Sequence, residues 1–189
     1  MMKTLYLVRH GETLFNIQNK IQGWCDSPLT ENGVAQAKKL GDFFKNISLD
    51  HAYSSTSERC CDTTELILQN RLGYQRVKAL KEQNYGVFEG EPEYLSPKAP
   101  KDFETFFLPY GGESSNEVGQ RMLKCLTKIM AKPDNNQVLA VSHSGACFNF
   151  LRMLQDPTEE LAKGFPNGAI FVYHFDQGEF QLAKVIREF

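Results

Sequence analysis

Over roughly its first two thirds, the chain alternates short apolar runs with stretches whose apolar residues recur at helical spacing. That alternation constrains the fold more than any other feature. Strands separated by helices are parallel neighbours joined by crossovers, with the helices packed on the sheet faces. Thr4–Val8 reads as the first strand, ended by Arg9-His10. A helix is expected from Leu29-Thr30 to about Phe44, with Val34, Ala37, Leu40 and Phe44 on one face and Thr30 as its N-cap. Ala52–Ser54 reads as a short strand, the segment from Ser57 to Asn70 as a helix, and Val77–Lys81 as a third strand. Ser114-Ser115-Asn116-Glu117 fits a capping box and opens a helix with Val118, Met122, Cys125, Leu126 and Ile129 on one face. Val138–Ser142 follows as a buried strand, and Cys147–Leu154 as the next helix. Ala169–Phe175 and Phe180–Ile186 flank Asp176-Gln177-Gly178-Glu179 and read as a hairpin. The expected fold class is α/β: three α/β/α layers around a mainly parallel central sheet, with antiparallel strands added near the C-terminus.

The 189 residues suit one domain spanning 1–189 with a single core. Residues 91–113 interrupt the pattern with Pro92, Pro97, Pro100, Pro109, Gly111 and Gly112, and read as a loop-rich excursion packed through Phe103, Phe106, Phe107 and Tyr110. A net charge of −2 argues against a broad basic face for nucleic acid or an anionic membrane, so any anion site must come from a few converging cations. The opening apolar run is too short for a signal peptide, and no stretch has the length of a membrane span. The five cysteines are odd in number and lack C-x-x-C spacing, which fits reduced thiols and a cytoplasmic location. His10, His51, His143 and His174 show none of the short pairings of a metal site, so neither a metal nor another cofactor is expected. The chain is expected to be a monomer or a homodimer.

Two strand ends carry the same feature: Val8-Arg9-His10-Gly11 and Val141-Ser142-His143-Ser144-Gly145. In a parallel sheet such ends lie side by side, and ligands bind in the crevice outside them. Two histidines 133 positions apart can therefore meet. Alone, a histidine at a strand end more often packs and hydrogen-bonds than catalyses. Arg9 beside His10, and Arg59 in the first turn of a helix, change that balance. A cation there opposes the helix dipole, so Arg59 does not serve helix stability. A surface ion pair with Glu58 or Asp62 would contribute little; a phosphate, gripped by a planar guanidinium, explains the residue better.

Leu7-Val8-Arg9-His10-Gly11-Glu12-Thr13-Leu14-Phe15-Asn16 resembles the signature of the histidine phosphatase superfamily, also called the phosphoglycerate mutase-like family. Further blocks match in order. They are Gly23–Thr30 with Gly33; Ser54-Ser55 with Arg59 and Thr63; Glu82 with Gly86 and Phe88–Gly90; Gly112–Ser114 with Arg121; and Ser142-His143. One departure stands out: many relatives have Gly directly after the second histidine, whereas here Ser144 precedes Gly145.

The resemblance implies that His10 attacks phosphorus and becomes phosphohistidine. It implies that Arg9, Arg59 and His143 surround the phosphoryl oxygens, in the place of a metal. Asn16 is implied as a further donor, Gln22 and Gly23 as substrate contacts, and Ser144 as a backbone or hydroxyl donor. Glu82 would protonate the leaving oxygen and then deprotonate water, which requires a raised pKa. Without the family pattern it reads as a solvated carboxylate at a strand end. Glu12, Thr13 and Thr63 are expected to buttress the site, and Trp24 to line the pocket or to pack its loop.

The implied function is hydrolysis of a phosphomonoester, with a small phosphorylated metabolite as substrate. The first alternative is a cofactor-dependent phosphoglycerate mutase, which needs added cations and a substantial cover; the excursion offers only Lys98 and Lys101 among several aromatics. The alternative of another class is a pseudo-enzyme that binds phosphorylated ligands, for which a lost nucleophile, arginine or acid would be the mark.

Overall fold

The computed structural model describes residues 2–188. Its sheet has six strands: β1 (Lys3–Arg9), β2 (His51–Ser54), β3 (Tyr74–Arg76), β4 (Gln137–Ser142), β5 (Ile170–Asp176) and β6 (Glu179–Ile186). The spatial order is β3-β2-β4-β1-β5-β6. The first four strands in that order run parallel, while β5 pairs antiparallel with β1 and β6 antiparallel with β5. The expected mainly parallel sheet with C-terminal antiparallel strands is the one found. Six α-helices accompany it: α1 (Leu14–Ile17), α2 (Glu31–Phe44), α3 (Glu58–Leu68), α4 (Ser115–Met130), α5 (Ser144–Arg152) and α6 (Thr158–Ala162).

The central strands are apolar on both faces because each face is covered. Leu5, Leu7, Val138, Ala140, Phe171 and Tyr173 point to one side, where Val118, Met122 and Leu126 of α4 and Phe150 of α5 meet them. Val8, Leu139, Val141, Ile170 and Val172 point to the other, against Leu40 and Phe44 of α2 and Cys60 and Ile67 of α3. The caps read from sequence are present. The Thr30 side chain accepts the Gly33 N–H, and Ser114 and Glu117 form a reciprocal box.

Two elements differ from expectation. The third strand is Tyr74–Arg76 instead of Val77–Lys81, and Lys78–Leu80 forms a 3₁₀ turn. Val77 and Leu80 are three apart, which suits the single inward edge of such a turn better than a strand's alternation. Helix α5 starts at Ser144, three residues before the expected Cys147, with His143 as its extended N-cap. The Gly145 N–H, one of the first-turn donors that a helix cannot satisfy internally, is taken by the Glu82 carboxylate at 2.8 Å. A partner from elsewhere in the chain thus lets the helix begin earlier than local composition suggests. Between residues 93 and 110 the ordered elements are short 3₁₀ turns, at Glu93–Leu95, Pro100–Glu104 and Leu108–Tyr110.

Candidate active site

Arg9 and Ser142 are register partners at the ends of the adjacent parallel strands β1 and β4. His10 and His143, one residue further on each, consequently face each other with ring centroids 5.3 Å apart. Both are buried. The Nδ1–H of His10 donates to its neighbour's carbonyl, Gly11 O, at 2.7 Å, which puts the ring's lone pair on Nε2. Burial, followed by the charges of Arg59 and Arg9, holds the His10 imidazole well below its usual pKa, against a weaker opposing effect of the Gly11 bond.

Arg59 has no exposed surface, and each of its N–H groups has a protein acceptor. Nε–H points to His10 Nε2 at 3.3 Å. The Nη1 donors go to Cys25 O and Asp26 Oδ1, at 3.0 and 2.8 Å. Those of Nη2 go to Gly23 O and His143 Nδ1, at 2.8 and 2.9 Å. Its ion-pair partner is thus Asp26, and neither Glu58 nor Asp62. A guanidinium can only donate, so His143 accepts at Nδ1 and carries its proton on Nε2, directed at Ser55 Oγ at 2.9 Å. Burial first, then the charges of Arg59 and His10, depresses the His143 pKa as well.

Glu82 is buried, and its two carboxylate oxygens accept the N–H groups of Gln83 and Gly145, each at 2.8 Å. Desolvation raises its pKa, while those N–H groups and the charges of Arg59 and Arg121 oppose the rise. It is therefore a desolvated acid and not the solvated carboxylate that it resembles out of context.

A cavity of about 540 Å³ opens beside these groups. Of the residues singled out from sequence, Arg9, His10, Asn16, Gln22, Glu82 and Ser144 line it. Arg59, His143 and Gly23 do not; the first two are fully buried and hydrogen-bonded to one another. Gly23 lies behind the cavity wall, in a tightly packed position. Its carbonyl serves Arg59, and a Cβ there would come within 2.3 Å of Gln83 O. Arg9 donates to Phe165 O, and its buried Nε has no hydrogen-bond partner among the described residues. Asn16 accepts with Oδ1 from Thr13 N–H and Asn167 Nδ2. Gln22 is tied to Thr13 and Ser27. Thr63 accepts the Gly11 N–H, Glu12 accepts from Thr30, and Thr13 caps α1, so all three buttress the loop after β1. Trp24 packs: its indole N–H donates to Glu82 O at 3.0 Å, and Lys78 and Lys81 lie 5.0 and 4.8 Å from its ring centre.

Several residues around the site carried no assigned part in the sequence reading. Glu113 grips Arg121 through both oxygens, at 2.9 Å each. Arg121 in turn donates to the carbonyls of Ala79, Lys81 and Glu82 and so fixes the loop that presents the acid. Glu89 accepts the N–H groups of Trp24, Cys25 and Tyr85, pinning the two loops together. Lys20, Ile21, Tyr85 and Gly145, with Glu93, Ser96, Pro97, Lys98 and Phe103 of the excursion, complete the cavity wall. The motif marks Glu113, Arg121 and Glu89 as matching positions; what it could not give is their targets, the Arg121 guanidinium for Glu113 and backbone groups for Arg121 and Glu89.

Residues 5–187 match the family described as the histidine phosphatase superfamily (branch 1). The chain belongs to this superfamily. A Yersinia pestis relative named as a probable phosphoglycerate mutase, GpmB, is 37% identical over 155 residues, 77% of this chain and 71% of its own. Bacillus stearothermophilus YhfR superposes with a TM-score of 0.84 at 31% identity, covering 95% of both chains. A phosphoserine phosphatase of Entamoeba histolytica, solved with 3-phosphoglyceric acid, superposes with a TM-score of 0.81 at 26% identity, over 96% of this chain and 95% of that one. The proteins this chain is similar to thus include one named as a phosphatase and one named as a probable mutase. Among the described residues no helix is long and apolar enough to cross a membrane, and no group of three or more His, Cys, Asp or Glu side chains is placed to hold a metal ion.

Proposed function

We propose that the chain is a metal-independent phosphomonoesterase that works through a phosphohistidine at His10 on a small phosphorylated metabolite. The observation that carries this reading is the pairing of a neutral, oriented imidazole with a desolvated carboxylic acid on one cavity. His10 Nε2 forms the bond to phosphorus as the bond from phosphorus to the leaving oxygen breaks, and that oxygen takes the Glu82 proton. Water then attacks the phosphohistidine and gives its proton to the Glu82 carboxylate. The P–N bond breaks and inorganic phosphate leaves.

The cations act by position. Arg59 Nε–H, which points to the attacking nitrogen, passes to a phosphoryl oxygen as phosphorus takes over that lone pair. Arg9 Nε, a donor without a partner, can do the same. The Ser144 N-terminus of α5 and the Asn16 amide face the same cavity and suit an anion. His143, held by Arg59 and Ser55, lends a fixed dipole to charge developing on the phosphoryl group.

A mutase reading is favoured by two features: the relatives named as probable phosphoglycerate mutases, and Lys20 and Lys98 in the cavity wall, where a second anion could sit. Parallel assays separate the two. Hydrolysis of an aryl phosphate, with little conversion of 3-phosphoglycerate in the presence of its bisphosphate primer, supports the phosphatase. Fast interconversion with negligible hydrolysis would replace it. Substitution His10→Ala is expected to abolish turnover and the acid-labile phosphoprotein; full activity in that variant would sink the mechanism.

A further inference from the structure

A second cavity, of about 610 Å³, adjoins the first and shares Tyr85, Phe103, Ser144 and Gly145 with it. Its character differs. The first is edged by Lys20, Glu93 and Lys98, whereas most of the open surface of the second comes from apolar groups, Phe148, Pro157, Leu161 and Phe165 among them, with Lys101 as its one charged member besides Arg152. Arg152 at its far end is paired with Glu104 at 2.9 Å, so that end carries little unbalanced charge.

Helix α5 links the two spaces. Ser144, Phe148 and Arg152 stand at i, i+4 and i+8, and so form one stripe along its outer side. At 1.5 Å rise per residue, that stripe extends about 12 Å from the phosphate end of the helix. Glu82 is bonded to Gly145 N–H, at the shared wall. The oxygen that receives its proton must lie beside it, so whatever is bonded to that oxygen starts where the apolar space begins. Apolar surface held open in a concave site is a feature of ligand pockets more than of ordinary protein surface.

We propose that this second cavity is the leaving-group subsite, and that the preferred substrate is the phosphate monoester of a bulky, uncharged, apolar alcohol, with Phe148 and Leu161 as the residues that select it. The proposal rests on the phosphomonoesterase reading and narrows its substrate. The apolar group enters between Phe148, Leu161 and Phe165, and the phosphate end stays at His10. Polar or multiply charged alcohols lose this contact, because Phe148 and Leu161 offer no hydrogen bond in return for lost water.

The test compares n-hexyl phosphate with ethyl phosphate, whose leaving alcohols have similar basicity, so that the ratio of kcat/KM reads contacts along the chain. The wild-type ratio is expected to exceed about tenfold. In Phe148→Ala and in Leu161→Asp it is expected to fall about fivefold or more. Leu161 is 39% exposed, so its variant keeps the test open if loss of the Phe148 ring disturbs folding. Calorimetric binding of hexylphosphonate against ethylphosphonate gives the same comparison without turnover. A ratio near one in the wild type, or one that both variants leave unchanged, overturns the subsite while the phosphatase reading stands. Failure to hydrolyse any ester or to form phosphohistidine, in a folded protein, overturns both.

Discussion

Glu82 and Gly145 are locked together: one carboxylate oxygen accepts the Gly145 N–H at 2.8 Å, and a Cβ on Gly145 would lie 2.7 Å from the other. The glycine is helical and outside the left-handed region, so alanine there fits the backbone and displaces only the acid. Gly145→Ala is expected to lower kcat about tenfold for an alkyl phosphate, whose leaving oxygen needs a proton, and by less for a nitrophenyl phosphate. Equal losses on both substrates would show that the glycine serves packing alone.

The pH dependence follows from two opposite shifts. In the proposed mechanism His10 acts neutral, and its depressed pKa favours that form into acid. There Glu82 acts protonated, and its raised pKa extends that state upward. Hydrolysis of alkyl phosphates is therefore expected to be fastest on the acidic side of neutrality and to fall as pH climbs through the Glu82 pKa. Glu82→Gln should lower the rate and flatten that basic limb. A kcat/KM profile for the wild type that keeps rising past neutrality would refute the assignment of the acid.

Asp26 is the carboxylate paired with the fully buried Arg59. Asp26→Asn keeps the shape and removes the charge that balances the guanidinium. A loss of about 2 kcal/mol is expected, less than for a wholly buried pair because Asp26 is partly open to water. Urea unfolding of the variant measures it, and an unchanged midpoint would mean that Arg59 is stabilised mainly by carbonyls.

Turnover is expected to survive exhaustive dialysis against a chelator, since the proposed chemistry assigns charge stabilisation to Arg9, Arg59 and His143. Loss of activity that added zinc or magnesium restores would overturn that assignment.

Much of this was readable from residue order, and the remainder was not for identifiable reasons. The strands β1 and β4 announce themselves through apolar runs that only a sheet covered on both faces would bury, and Thr30 and Ser114 mark helix starts through their own side chains. Such signals are local. The start of α5 depends on a carboxylate 63 residues away, and β3 is displaced because Val77 and Leu80 suit a 3₁₀ turn. At the site, His10, Arg9 and Glu82 stand in recognisable motifs, and the cavity receives all three. The partners of Arg59 were hidden, because carbonyls such as Gly23 O and Cys25 O bear no trace in residue identity. Arg121 was opaque for the same reason: it acts on the backbone of the loop that holds the acid.

The pairing of Arg9 with Ser142 across β1 and β4 has a consequence for quality control. A slip of one residue between these strands would move one histidine about 3.3 Å along the sheet relative to the other and invert the faces of a whole strand. The faces that would be inverted hold Leu7 and Val8, among the most deeply buried residues of the protein. Misthreaded molecules therefore lose the core and the facing histidines in one event. Specific activity per milligram then serves as a count of correctly threaded chains, with no population of active but misassembled protein to confuse it.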